Sequence, residues 1–243
     1  MKNATPKALK VLVINLESAV DRFQTISKHL SSLEIDYEIV LATRPSEFTL
    51  QEDYGITSTA VAVWQSHVAC FKIISDSNIP HLVLEDDAEL RVSKEEILEF
   101  CRDMVDNELD MIQIGFLSLN IIDRTSIITR NIYNWFIRNS LFAGVFESIG
   151  FKEVGRAKEQ NWRLRLPAKY IVNDIRYGAH AYLISPKLSR VFLKLNSPTF
   201  LSTDDFFVSL SKMKSFRLAR LKTSLVKQNG STSSFAKRFG TDE

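Results

Sequence analysis

Hydrophobic positions recur along this chain in two alternating rhythms. Residues 11–16, Val-Leu-Val-Ile-Asn-Leu, form a short apolar run rich in β-branched side chains and closed by polar Glu17 and Ser18, which predicts a buried strand. Over residues 19–33, Phe23, Ile26, Leu30 and Leu33 fall at helical spacing with Arg22 and Lys28 on the opposite face. Residues 37–42 return to the strand pattern. The chain therefore opens β-α-β, the unit from which parallel sheets covered by helices are built.

The alternation continues. Val61, Trp64, Val68, Phe71 and Ile74 recur at intervals of three and four, predicting a long helix over 57–75. After Pro80, residues 81–84 form a third strand that runs directly into Glu85-Asp86-Asp87. Ser93, with Glu95 and Glu96 behind it, is an N-cap signal for a helix through about Val105, and residues 111–115 are a fourth strand. Between 117 and 175 aromatic and basic residues such as Tyr133, Trp135, Arg138, Trp162 and Arg163 intermix without a clean period, as in an insertion facing an acceptor. Order returns with a strand over 179–184, a helix opened by Ser185-Pro186 and running to about Leu195, and a capped helix start at Ser202 to Asp205. The pattern predicts one α/β domain over 1–243: a ligand-binding half over 8–115, an insertion over 116–175, a second half over 176–230 and a flexible tail over 231–243.

Composition narrows the choices. Lys and Arg number 31 against 29 Asp and Glu, so the net charge of +2 gives no argument for a nucleic-acid partner. Cys70 and Cys101 lie inside apolar stretches without metal-ligand spacing, as reduced buried thiols do. The polar N-terminus and the lack of any apolar run of about 18 residues lead us to expect a cytoplasmic protein, or one held peripherally on the inner face of a membrane. From Lys212 on, eight basic residues face two acidic ones. That segment reads either as a site for anionic lipid headgroups or as a solvated helix face with a frayed end.

The chemistry concentrates in the acidic triplet. Adjacent carboxylates repel unless a cation or hydrogen bonds compensate them, and these three sit at the carboxyl end of a strand, where open α/β sheets bind ligands. Hard oxygen ligands suit Mg²⁺ or Mn²⁺ bridging to a diphosphate. The alternative is a solvated turn capping the next helix. Asp204 and Asp205 have two readings as well: a general base, or carboxylates that cap a helix and complement its dipole. His67 falls on the helical stripe with Cys70 and Ile74, as a core histidine would.

The ordered set Asn15-Leu16-Glu17-Ser18 with Asp21-Arg22, Ser66-His67, Val83-Leu84-Glu85-Asp86-Asp87, residues 178–185 (Gly-Ala-His-Ala-Tyr-Leu-Ile-Ser) and Thr203-Asp204-Asp205 resembles glycosyltransferase family 25, the group that contains lipopolysaccharide and lipooligosaccharide galactosyltransferases. The resemblance covers about residues 10–230. It implies a glycosyltransferase-A-type fold, a Rossmann-like mixed sheet flanked by helices, and inverting transfer of a hexose, galactose foremost, from a UDP-hexose donor to a glycan or glycolipid acceptor. Carried over by position, Glu85 and Asp87 hold Mn²⁺ or Mg²⁺, and Asp86 lies near the donor ribose or sugar. Asn15, Leu16 and Arg22 surround the nucleotide, His67, His180 and Gln228 line the donor site, and Asp204 or Asp205 is the base. Ala62-Val63-Trp64-Gln65 and Ala42-Thr43-Arg44-Pro45 depart from the family pattern. The rival reading of another class is a glycosyltransferase-like protein without turnover that serves in binding or assembly. A third, a phosphoryl-accepting signalling domain, requires a late strand-end lysine that is not placed here.

Overall fold

A computed structural model describes residues 9–47, 56–117, 166–197, 199, 201–212 and 215–229. The first half follows the expected alternation: β1 (Val11–Asn15), α1 (Val20–Ser32), β2 (Glu38–Leu41), α2 (Ser58–Ser75), β3 (His81–Glu85), β4 (Ala88–Leu90), α3 (Lys94–Asp106) and β5 (Met111–Gly115). The second half comprises β6 (Tyr170–Val172), β7 (Ala181–Ile184), α4 (Pro186–Phe192), α5 (Thr203–Ser211), β8 (Leu218–Leu221) and β9 (Val226–Gln228). Local chemistry sets the helix starts. Thr57 caps α2 by accepting from the Ala60 N–H, Ser93 and Glu96 form a reciprocal capping box on α3, and Ser185 and Ser202 cap α4 and α5.

Seven strands form one mixed sheet in the order β2-β1-β3-β7-β5-β8-β6. β1 runs parallel to β2 and β3, and β5 parallel to β8; β7 is antiparallel to both β3 and β5, joining the two parallel groups. Alternate residues of each central strand feed opposite faces. Val11, Val13, Leu82, Leu84, Ile112 and Ile114 pack with Ile26 and Leu30 of α1 and Ile97 and Phe100 of α3. Leu12, Ile14, Val83, Tyr182 and Ile184 pack with Trp64, Phe71 and Ile74 of α2, Phe192 of α4 and Phe206 and Phe207 of α5. Both faces are thus covered, which is why these strands read as continuous apolar runs. Cys70 and Cys101 are buried free thiols, and burial pushes Cys101 up to about 12. No helix among the described residues is long and apolar enough to cross a membrane.

The structure corrects the reading of the basic end. Residues 218–221 and 226–228 are strands, not a solvated helix face. All four residues of β8 are buried, Arg220 among them, its guanidinium paired with Asp174 and lying 5.1 Å from the Phe116 ring centroid. Arg217 pairs with Glu108, and Lys227 approaches Glu89. β6 falls at the end of the segment that carried no clear period, and α4 ends at Phe192, short of Leu195. The insertion proper and the tail beyond Asn229, with Lys214, Lys237 and Arg238, lie outside the described residues.

Arg220 gives a first prediction. Asp174→Ala leaves a buried guanidinium short of its carboxylate; because Asp174 is itself half-exposed, the expected loss is about 1–3 kcal/mol, read as a lower denaturant midpoint with unchanged slope. A change below about 0.5 kcal/mol would show that water replaces the carboxylate at no cost.

Candidate functional site

The ends of five strands converge on one cavity of about 470 Å³. The mixed topology determines this: the carboxyl ends of β1, β2, β3 and β5 and the amino end of β7 all point to the same edge of the sheet. Leu16 follows β1, Ala42 and Thr43 follow β2, Glu85 to Asp87 follow β3, Leu117 follows β5 and Gly178 to His180 precede β7; all of them line the cavity. The first half of α2, up to its middle, and the start of α5 close it, contributing Ser66, His67, Thr203 and Asp204. Ligand cavities commonly have this size and this place in an α/β sheet.

The acidic triplet is spread into three environments. Glu85 ends β3 beside Ile14 of β1, and its Oε1 lies 3.4 Å from Nε2 of His67. Burial alone would raise its carboxyl, but the His67 ring, with His180 and Arg22 nearby, holds it below the ordinary value. Asp86 turns toward α1, where Arg22 meets its Oδ1 at 3.0 Å; burial nevertheless pushes Asp86 up to about 6, with Asp87 and Glu85 adding to the rise. Asp87 is bound on one side only. Gln228 donates to its Oδ2 at 2.9 Å, while Oδ1 is buried without a hydrogen-bond partner. Burial, followed by the Glu85 charge, raises it to about 6. Gln228 reaches Asp87 because β9 pairs antiparallel with β4, setting Gln228 opposite Ala88, and the Asn229 N–H also donates to the Asp87 carbonyl.

The late acidic pair is divided. Asp204 lines the cavity, accepts from the Ala179 N–H at 2.8 Å, and is raised to about 7 by burial and then by Glu85. Asp205 faces the other way and is not part of the lining. It accepts from Ser202 Oγ at 2.7 Å and from the Tyr177 hydroxyl at 3.2 Å, while its own N–H donates to Ser202: a helix-start network. Asn15 also stands outside the lining, its Nδ2 donating to the Leu16 carbonyl and its Oδ1 buried without a partner.

His180 is 2% exposed, and neither ring nitrogen has a hydrogen-bond partner. Its ring fits between two glycines. A Cβ at Gly115 would lie 2.7 Å from Nε2, and one at Gly178 would lie 3.0 Å from Nδ1; Gly178 in addition has φ +102°. Sequence reading missed this role of Gly115. The available signal was a glycine closing a buried strand, which marks close approach by a neighbour.

A divalent cation fits what is present only in a particular way. Among the described residues no group of three or more His, Cys, Asp and Glu is gathered as a metal cluster. The orphaned Oδ1 of Asp87, with Glu85 two residues away, suits instead an ion that takes one or two carboxylates and draws its remaining ligands from phosphate and water.

A family model described as glycosyltransferase family 25 (LPS biosynthesis protein) matches residues 8–207, more than half of the chain. No curated protein matches it.

Proposed function

The chain belongs to glycosyltransferase family 25, and from that premise we propose that its strand-end cavity binds a UDP-hexose, galactose foremost, and transfers the sugar with inversion to a glycan or glycolipid of the cell envelope. A glycosyltransferase-A-type sheet is part of the same reading. The observation that carries it is the facing of two acidic elements, the β3 triplet and Asp204, across one cavity.

In this reading Arg22, Leu16, His180 and Gln228 surround the donor. Arg22 is half-exposed over Asp86 and can offer its remaining N–H groups to phosphate oxygens. Glu85 and Asp87 would hold Mn²⁺ or Mg²⁺, which supplies positive charge to the departing diphosphate when bound. Asp204, rather than Asp205, takes the proton: the acceptor oxygen attacks the anomeric carbon, the bond to the diphosphate oxygen breaks with its electron pair leaving on UDP, and the acceptor hydroxyl proton passes to the Asp204 carboxylate. Placement favours this choice, because both oxygens of Asp205 are engaged at the helix start.

A thermal-shift screen of nucleotide sugars with and without Mn²⁺ tests the proposal. We expect stabilisation by UDP-hexose that requires the ion and is lost in Asp87→Asn, equivalent to roughly 10-fold or greater weakening of binding. Unchanged metal-dependent stabilisation in Asp87→Asn would remove Asp87 from the site. UDP release from a donor panel separates the enzyme from a binding or assembly protein of the same fold: no release and no nucleotide binding by the wild type would reject the enzyme reading.

A further inference from the structure

His67 lies in the middle of α2 and is 0% exposed. Its Nδ1 is 2.7 Å from the hydroxyl of Tyr182, the second residue of β7, which is also fully buried. On the other side of the ring, Nε2 has no hydrogen-bond partner, and the Glu85 carboxylate stands 3.4 Å away. Phe71 and Phe207 flank the imidazole, each with its ring centroid 6.4 Å from that of His67. Those apolar neighbours offer no other acceptor.

The proton positions follow from pairing rules. If Nδ1 carried the proton of a neutral ring, the Nε2 lone pair would face the Glu85 carboxylate in a buried setting, acceptor against acceptor. With the Tyr182 O–H donating to Nδ1, the ring proton sits on Nε2 and points at Glu85. The Tyr182 O–H then has its acceptor, and the ring N–H faces the Glu85 carboxylate, whose Oε1 stands 3.4 Å from Nε2.

We infer that His67 is a positioning residue for Glu85: Tyr182 fixes the tautomer of the buried ring, and the Nε2–H orients the carboxylate toward the diphosphate end of the donor. The inference rests on the reading of Glu85 as part of the donor site. It has His67 act through Glu85 rather than through the nucleotide. Tyr182 gains a role as the third member of a relay that links β7, α2 and β3.

The test compares the wild type with His67→Leu, His67→Gln and Tyr182→Phe, each checked for native fold by circular dichroism. Binding of UDP with Mn²⁺ is measured by calorimetry, and donor and acceptor KM in a transfer assay. Removing a group that orients a ligating side chain commonly costs 10–100-fold. We expect His67→Leu to weaken UDP–Mn²⁺ binding and raise donor KM by about 10–100-fold with acceptor KM unchanged. His67→Gln, whose amide nitrogen can replace Nε2, should recover most of the loss, and Tyr182→Phe, which frees the tautomer, should lose about 3- to 10-fold. A folded His67→Leu with wild-type affinity, a His67→Gln no better than His67→Leu, or an equal rise in acceptor KM would overturn the inference. Should His67→Leu fail to fold, wild-type affinity in folded Tyr182→Phe would overturn it alone. Failure of the wild type to bind UDP with Mn²⁺ would overturn the proposed function as well, so the two failures are distinguishable.

Discussion

Asp204→Asn is expected to abolish most transfer activity and at the same time to make the protein more stable above neutral pH. The two effects have one cause. Burial and the neighbouring Glu85 hold Asp204 at about 7, above its ordinary 3.8, so its carboxyl is half-ionised near neutrality. A base with that value accepts the acceptor proton effectively, and its removal commonly costs 10²–10⁴-fold, so we expect a loss of about 1,000-fold in kcat. Wild-type activity should rise with pH through about 7 as Asp204 ionises.

The stability effect follows from the same shift with the sign worked out. Between about 4 and 7 the folded chain retains a proton on Asp204 that the unfolded chain has released, so the contribution of this group falls as pH rises and is fully lost above about 7. Asparagine carries no charge, and its carbonyl can still accept from the Ala179 N–H. The variant should therefore gain on the order of 4 kcal/mol at about pH 8 and almost nothing near pH 4, measured by denaturant unfolding at both values. Retention of more than about a tenth of the activity would point to another base. A stability gain that does not depend on pH would show that ionisation of Asp204 is not its source.

Trp64→Ala should carry the largest stability loss. Trp64 is 1% exposed and meets Phe206 at 4.7 Å, Phe71 at 5.7 Å and Phe192 at 6.5 Å between ring centroids, so a single side chain ties α2 to α4 and α5. Truncating a buried tryptophan costs about 3–5 kcal/mol through lost transfer energy and the cavity left behind. We expect a melting temperature lower by roughly 10 °C or more and weakened nucleotide binding in step with it, since α5 carries Asp204. Trp64→Phe should restore over half of the loss. A drop in donor binding without a drop in stability would show that Trp64 touches the donor instead.

Trp64 also illustrates what was legible in the sequence. In the chain it reads as a departure from the family pattern beside Ser66-His67; in the fold it faces away from the cavity and into the core, so the departure is a matter of packing. The β-α-β opening, α2, β3, α3 and β5 were readable because their apolar periods are clear and the caps of α2 and α3 are local. Strands β8 and β9 were not. β8 is four residues with a buried arginine, whose acceptability depends on Asp174, 46 residues earlier. β9 is three residues with Lys227 facing outward. The antiparallel course of β7 depends on partners rather than on its own residues.

The site divides in the same way. Glu85-Asp86-Asp87 was visible because the three carboxylates are adjacent in sequence and follow a strand. That Asp204 faces the cavity and Asp205 does not is a matter of angle at a helix start, to which composition is blind. The contact of His67 with Tyr182 joins residues 115 positions apart, and no local pattern encodes it.

The pairing of β4 with β9 sets the order in which the active protein can be made. Asp87 and its partner Gln228 are separated by 141 positions. During synthesis from the amino terminus, β1, β2 and β3 can collapse on α1 and α2 while Asp87 still lacks its donor and β4 is an unpaired edge. At roughly 10 residues per second, that interval lasts on the order of 15 s. Completion of the acidic loop is therefore a late, long-range event, and a nascent chain halted before β9 would carry the triplet without its brace.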